Sequence, residues 1–275
     1  MSSIIEIKDV SKAFGGVIAN QSISVNVAEG GITGLIGPNG SGKTTLFNSV
    51  VGHHPIDEGS IKFEGAEISK LKVPQIARLG LLRTFQQTRI YSKMNCVQNM
   101  QISIPHRNSG LLDMFRGHSP ETSDRALELL EFVGLYSKRN LIAGDLSFGQ
   151  QKLLEFAMAL MNEPKVLLLD EPYRAMDALT KQIMHEALLE TYDRTGVTIF
   201  FITHDLEEAI FLGDKVHIVT TRPCQLKKTV EVKIPRPRSY ETQSSEDFRK
   251  LLVEVNEAVH EEAVKAFQAG ERELA

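Results

Sequence analysis

Gly37-Pro38-Asn39-Gly40-Ser41-Gly42-Lys43-Thr44-Thr45 fits the spacing G-x-x-x-x-G-K-[ST]. It follows the apolar run Ile32-Thr33-Gly34-Leu35-Ile36 and precedes Leu46-Phe47-Asn48-Ser49-Val50-Val51, so the order reads strand, glycine-rich loop, helix. Glycines let the backbone turn tightly, so that successive N–H groups converge on anionic oxygens. The helix that follows offers its own unsatisfied N–H groups and positive dipole end to the same ligand. In this reading Lys43 reaches the terminal phosphates of a nucleotide and the Thr44 hydroxyl ligates Mg²⁺. A glycine turn before a lysine would need neither the strand nor the helix.

Downstream, the buried-type run Val166-Leu167-Leu168-Leu169 ends in Asp170-Glu171-Pro172. A strand that delivers two adjacent carboxylates suits nucleotide hydrolysis: Asp170 holds Mg²⁺ through water and Glu171 activates the attacking water as general base. The strand pattern Val197 to Ile202 delivers Thr203-His204-Asp205. A histidine at the C-terminal end of such a strand lies where doubly wound sheets bind ligands, so His204 is placed at the terminal phosphate and the water. Gln86, in Arg83-Thr84-Phe85-Gln86-Gln87, could reach the metal or the water; alone it is a polar loop residue.

Between these motifs lies Leu146-Ser147-Phe148-Gly149-Gln150, before a helical pattern containing Leu153, Leu154, Ala157, Met158 and Met161. By itself this is a helix start with Ser147 as N-cap; its place between the phosphate loop and the acidic strand gives it further meaning.

Bulk properties set outer bounds. The chain has 275 residues, 42% hydrophobic and 24% charged, with a net charge of −4. That is ordinary globular composition, long enough for one large domain and an appendage. The charge balance argues against an electrostatic grip on nucleic acid. Two cysteines, Cys96 and Cys224, have no ligand-like spacing. We see no signal peptide and no apolar run long enough to span a bilayer, so any membrane role is expected through a partner.

The remaining chain reads as follows. Ile4 to Val10 is a strand, Ser11 to Gly16 a turn carrying Phe14, Ser22 to Val27 a second strand and Ile61 to Phe63 a third. Phe14 could stack on a nucleobase or be a half-buried turn aromatic. Pro74 to Leu79 is a short helix stopped by Gly80, and Tyr91 to Gly144 is mostly helical, with Leu127, Leu130 and Val133 marking one apolar face. Arg107 to His118 is a polar loop. Helices are expected over Ala178–Arg194 and Glu207–Leu212, and strands over Val216–Thr220 and Val230–Ile234. Pro235-Arg236-Pro237-Arg238-Ser239 is extended and cannot continue a ladder. Glu246 to Gln268 is an amphipathic helix with Phe248, Leu251, Leu252, Val255, Val259, Ala263 and Phe267 on one side, suited to docking on its own domain or on a partner.

Taken together, Gly37 to Thr45, Gln86, Leu146 to Gln150, Asp170-Glu171 and His204 resemble, in fixed order, the nucleotide-binding subunit of an ABC transporter. The pentapeptide is the discriminating element, since other phosphate-loop NTPases lack it. The resemblance implies an α/β fold, a P-loop NTPase of ABC type: a mixed sheet lobe, an inserted helical lobe over about 71–144 and a C-terminal helical extension over 226–275, with the ATPase domain over 1–225. It further implies that Phe14 stacks on adenine, that Gln86 links the metal site to a membrane subunit, that Ser147 and Gly149 touch the γ-phosphate bound to an opposite subunit, and that Gln150 and Asp177, the latter in the contact between subunits, belong to the nucleotide-binding residues. ATP and Mg²⁺ are the implied cofactors. The implied partners are a second ATPase subunit, identical or related, transmembrane permease subunits, and through them a solute-binding protein, at the cytoplasmic face of the plasma membrane.

Two positions depart from the family pattern: Phe148 stands where glycine is commoner, and Tyr173-Arg174-Ala175-Met176-Asp177 replaces the usual small-residue loop. Up to about Pro172 the chain resembles ATPases of branched-chain amino-acid and urea or amide importers; after about Ala175 it resembles those of nitrate, sulfonate and taurine importers. A soluble repair-type ATPase would need a coiled coil for which Lys43 to Ser147 leaves no room. A non-hydrolysing regulatory subunit is the other alternative, opposed by Glu171 and His204.

Overall fold

The computed structural model describes residues 2–84, 90–104, 120–174 and 176–268. Ten strands and eight helices follow in chain order among them: β1 (Ser3–Phe14), β2 (Val17–Ala28), β3 (Ile32–Ile36), α1 (Lys43–Val50), β4 (Glu58–Phe63), β5 (Ala66–Glu67), α2 (Val73–Arg78), β6 (Leu81–Thr84), α3 (Cys96–Ile102), α4 (Pro120–Phe132), α5 (Phe148–Leu160), β7 (Val166–Asp170), α6 (Ala178–Thr195), β8 (Thr198–Thr203), α7 (Leu206–Leu212), β9 (Lys215–Val219), β10 (Leu226–Glu231) and α8 (Glu246–Gln268).

The strands form two sheets. One is antiparallel, in the order β2-β1-β4-β5. The other has the order β10-β9-β3-β8-β7-β6, parallel throughout except for β10, which runs antiparallel to β9. The mixed α/β architecture expected from the motifs is the one observed.

Every residue of β3, β7 and β8 is buried, as expected of parallel strands covered on both faces. Alternation along them divides the core in two. Leu167, Leu169, Ile199 and Phe201 face a cluster that includes the apolar stripes of α4, α5, α6, α7 and α8. Leu168, Phe200, Ile202 and Leu35 face the other cluster, built from α1 and the antiparallel sheet through Ile5, Ile7, Val25, Ile61 and Phe63. The parallel sheet is therefore the middle layer, and its strand ends are held rigidly from both sides.

Register places those ends side by side. Ile36 pairs with Thr203 and Asp170 with Ile202, so the loop after β3, the acidic exit of β7 and the histidine after β8 leave the sheet at one level. This is the ligand edge of a parallel α/β sheet.

Several boundaries differ from the sequence reading. β1 runs on through Phe14, and only Gly15 and Gly16, with φ of 51° and 88°, make the turn. The pattern was obscured by irregular pairing, with register shifts at Val10 and Lys12 that break strict alternation. β2 begins at Val17 rather than Ser22. Leu81 to Thr84 is an edge strand, which its polar end disguised as loop. Within the segment expected to be helical, α3 and α4 are followed, before α5, by two short 3-10 turns, Tyr136–Lys138 and Ala143–Asp145. In α4 the most buried positions are Ala126, Leu129 and Leu130, with Leu127 half-buried. β10 spans Leu226–Glu231; Val232 and Ile234 leave the ladder yet stay in the core. Gln86 and the Arg107–His118 loop lie outside the described residues.

The tail is docked on the domain. Arg238, 7% exposed, donates to the carbonyls of Ile210, Phe211 and Gly213 and so caps the C-terminus of α7. Phe248, Val255, Ala258, Glu262 and Ala266 are the buried positions of α8, whereas Ala263 is exposed and Phe267 is 78% exposed. The expected stripe thus holds for its first half. Further on, the buried side rotates toward Glu262 because its carboxylate is an ion-pair centre, bonded to Lys227 at 2.9 Å and Lys265 at 2.7 Å.

Candidate active site

The phosphate loop leaves β3 at Gly37 and enters α1 at Lys43. Gly42 has φ 111°, and a Cβ there would lie 2.4 Å from the Ala19 carbonyl, so the close approach of β2 requires glycine. Lys43 is 5% exposed; its Nζ donates to the carbonyl oxygens of Gly37 and Pro38, each at 2.8 Å. The ammonium thus lies against the loop that is expected to receive phosphates.

Asn39, Gly40, Ser41, Gly42, Lys43, Thr44 and Thr45 line a cleft of about 560 Å³, which they share with Phe14, Val17, Ala19, Glu171, Arg174 and Arg222. Phe14 is 43% exposed at this cleft and meets His54 edge-on at 5.2 Å between centroids. It therefore presents a ring to the same space as the phosphate loop, which is the placement that base stacking requires.

At the cleft floor the Thr44 hydroxyl lies 3.5 Å from Asp170 Oδ1. The other oxygen, Oδ2, accepts from Arg83 Nη2 at 2.6 Å, and Arg83 Nη1 donates to Asn48 Oδ1 at 2.5 Å. Burial pushes the Asp170 carboxyl pKa up, against the pull of the Arg83 guanidinium. A hydroxyl and a carboxylate oxygen so close are hard donors of the kind Mg²⁺ takes, and the arginine leaves Oδ1 directed at the hydroxyl.

Glu171 adopts a left-handed backbone, φ 47°, unusual for a non-glycine residue. Its N–H still donates to the Ile202 carbonyl at 3.0 Å, so the turn is held against β8. The conformation aims the carboxylate sideways: Oε1 is 3.7 Å from His204 Nδ1, and Oε2 accepts from Arg174 Nη1 at 2.9 Å. Glu171 and His204 line a second hollow of about 190 Å³ with Arg174, Lys181, Asp205 and Glu208. A carboxylate beside an imidazole at the edge of an anion-binding loop can orient and deprotonate a water.

Ser147, Gly149, Gln150 and Asp177 stand apart from the cleft. Ser147 is the N-cap of α5, its Oγ accepting from Gln150 N at 3.4 Å while Gln150 Oε1 accepts from Ser147 N at 3.2 Å. Gly149 is buried against Thr180 of α6, whose N–H and hydroxyl are both held by the Asp177 carboxylate. Ser147, Gly149, Gln150 and Asp177 are thus one unit joining two helix N-termini. None of them lines the 560 Å³ cleft. Phe148, 46% exposed, projects from the start of α5.

Arg83, Arg174 and Arg222 were not picked out by sequence. Arg83 had a signal, a lone cation closing an apolar run. Arg174 and Arg222 sit in turns, where one sequence gives no clue to which side chain faces the ligand edge.

Fold and site define a phosphate-loop nucleoside triphosphatase with a mostly parallel middle sheet and an antiparallel covering sheet. Residues 20–174 match the family model described as ABC transporter. The high-affinity branched-chain amino acid transport ATP-binding protein LivG of Salmonella typhimurium is 33% identical over 224 residues, covering 78% of this chain and 88% of LivG. The aliphatic sulfonates import ATP-binding protein SsuB of Bacillus cereus is 31% identical over 254 residues, covering 91% and 94%. Among solved structures, a nucleotide-free ATP-binding cassette from an ABC transporter superposes with a TM-score of 0.76 at 28% identity, covering 94% of this chain and 98% of that one. The ADP conformation of an ATP-binding cassette gives 0.74 at 28%, with coverage of 93% and 98%. The chain belongs to the ABC transporter family, as an ATP-binding, ATP-hydrolysing subunit of the importer type. No helix among the described residues is long and apolar enough to cross a membrane.

Proposed function

We propose that this chain hydrolyses ATP to drive uptake of a small polar solute through a separate permease, at the cytoplasmic face of the membrane. The relatives named for branched-chain amino acids and for aliphatic sulfonates support both solute classes that the two parts of the sequence resemble. Two copies, or this chain and a related one, stand head to tail, so that each Ser147-Gly149 unit closes over the partner's phosphate loop. The separation of that unit from the cleft of its own chain supports this arrangement.

The convergence of Thr44, Asp170, Glu171 and His204 on one end of the sheet carries the reading. Phe14 stacks on the adenine. The loop N–H groups and Lys43 bind the phosphates, with Lys43 exchanging the Gly37 and Pro38 carbonyls for phosphate oxygens. Thr44 and Asp170, with Gln86, would hold Mg²⁺, which neutralises charge developing on the phosphates when bound. Glu171 accepts the proton of the attacking water, and His204 fixes the water and the terminal phosphate. Binding favours the closed pair, and hydrolysis removes the terminal phosphate that holds it, so each cycle can move a permease.

The test is ATP binding and turnover by the purified chain, with Lys43→Ala alongside. Removing the ammonium should weaken ATP at least about tenfold, from the loss of one charge-assisted phosphate contact. Unchanged affinity would reject the phosphate-loop assignment.

A further inference from the structure

Residues 220–225 form the turn between β9 and β10. It is internally braced: Thr220 N donates to the Gln225 carbonyl at 2.9 Å, and the Thr220 hydroxyl donates to the Pro223 carbonyl at 2.8 Å while accepting from Gln225 N at 3.0 Å. One side of this turn lies against the nucleotide cleft. Cys224 pairs by its backbone with Ala19 and Gln21 of β2, at 2.9 and 3.1 Å. Arg222 extends to the phosphate loop, where Nε and Nη2 both donate to the Gly40 carbonyl, at 3.3 and 3.2 Å. The other side lies against α8, where Thr221 N donates to Glu262 Oε2 at 3.1 Å.

Glu262 is 1% exposed. Its carboxylate gathers Lys227 from β10, Lys265 from α8 and the Thr221 amide at one buried point. These bonds hold its pKa below the ordinary glutamate value, against the upward push of burial. The buried carboxylate thus holds the backbone of the residue directly before Arg222, whose guanidinium lines the cleft.

We propose that Arg222 is a further nucleotide-binding residue, contacting the phosphate chain, and that Glu262 sets its aim, so that the C-terminal helix tunes ATP affinity. The inference rests on the reading of the cleft as the nucleotide site. Two N–H groups of Arg222 converge on one neutral carbonyl oxygen, a poor match for a guanidinium fork. A phosphate offers two charged acceptors in the geometry the fork fits, so the exchange is favourable. Arg222 also lines the same cleft as Phe14, Ser41 and Lys43, which places its charge where the triphosphate enters. Glu262 fixes the amide of the preceding residue, Thr221, and Pro223 restrains the backbone on the other side. Loss of the carboxylate would release the turn and with it the guanidinium.

The experiment uses the full chain and equilibrium binding of ATP at low and high salt. Arg222→Ala should weaken ATP about tenfold and flatten the salt dependence, since one phosphate contact is gone, while Arg222→Lys recovers part of both. Glu262→Gln should weaken ATP by at least about threefold, and Arg222→Ala/Glu262→Gln should be no weaker than Arg222→Ala alone, because the carboxylate acts through the arginine. In the wild type, ATP should slow amide hydrogen exchange across 220–225, and Arg222→Ala should remove that protection; this arm tests the arginine independently of Glu262, and Glu262→Asp, which keeps the charge but shortens its reach to the Thr221 amide, takes the place of Glu262→Gln in the double-variant comparison if the latter does not fold. Wild-type affinity and salt dependence in Arg222→Ala, or exchange at the turn indifferent to ATP, would overturn the arginine's role. Fully additive losses would overturn the link to α8. Failure of the wild type to bind ATP would instead strike the reading of the cleft.

Discussion

Gly149 and Thr180 are so close that a Cβ on the glycine would sit 2.2 Å from the threonine Cγ2. The requirement for glycine at this position is therefore met within one chain, where α5 crosses the start of α6. Thr180 cannot withdraw easily, since Asp177 holds its N–H at 3.0 Å and its hydroxyl at 2.6 Å. Gly149→Ala should destabilise the protein by about 1–3 kcal/mol through overpacking, read as a fall in the urea midpoint. Thr180→Ser removes the methyl and keeps the hydroxyl, so Gly149→Ala/Thr180→Ser should regain most of the loss. Equal cost of Gly149→Ala in both backgrounds would refute the contact.

The ion pair of Arg83 with Asp170 is nearly sealed, with side-chain exposures of 8% and 2%. Removing the cation strands a carboxylate in the core. Arg83→Met should cost about 3–5 kcal/mol of unfolding free energy in chelator-containing buffer. A loss below 1 kcal/mol would show that solvent reaches Asp170 freely.

His217 on β9 is held neutral from both sides. Nε2 lies 3.2 Å from the Asn26 carbonyl and so carries the proton, and Nδ1, 2.8 Å from the Thr229 hydroxyl, accepts. Burial lowers its pKa from 6.5 to about 4. Between those values the unfolded chain binds a proton that the folded chain refuses. The histidine's contribution is therefore full above about 6.5 and is lost as pH falls toward about 4. Its share of that loss should be on the order of 2–3 kcal/mol, seen in unfolding curves at pH 7 and pH 4.5. His217→Gln should show a correspondingly flatter acid limb.

What could be read from sequence was whatever had a local physical signature. The phosphate loop carries its strand, glycines and lysine in one contiguous stretch, and β3, the loop and α1 all lie there. Asp170-Glu171 closes an apolar run, Ser147 precedes a helical period, and both landed as expected. Phe14 was placed in a turn because β1 is irregular, although it faces the cleft. Non-local partners left no such trace. Nothing around Arg238 shows that it caps α7, because the carbonyls it reaches lie 25 to 28 residues away; Lys265 beside Glu262 shows only an ordinary helical pair, since the Thr221 amide that helps bury the carboxylate lies 41 residues away. Gly149 was read for what it offers a second copy, and no local pattern pointed to Thr180.

The central claim is a pocket completed by two chains, with Glu171 as the base. The most direct measurement compares wild type and Glu171→Gln in ATP and Mg²⁺, following phosphate release together with molar mass by light scattering. The account predicts that Glu171→Gln binds ATP, loses at least about a hundredfold in turnover, and accumulates as a dimer that the wild type passes through only briefly. Turnover near the wild-type rate, or a Glu171→Gln chain that stays monomeric with ATP bound, would contradict it.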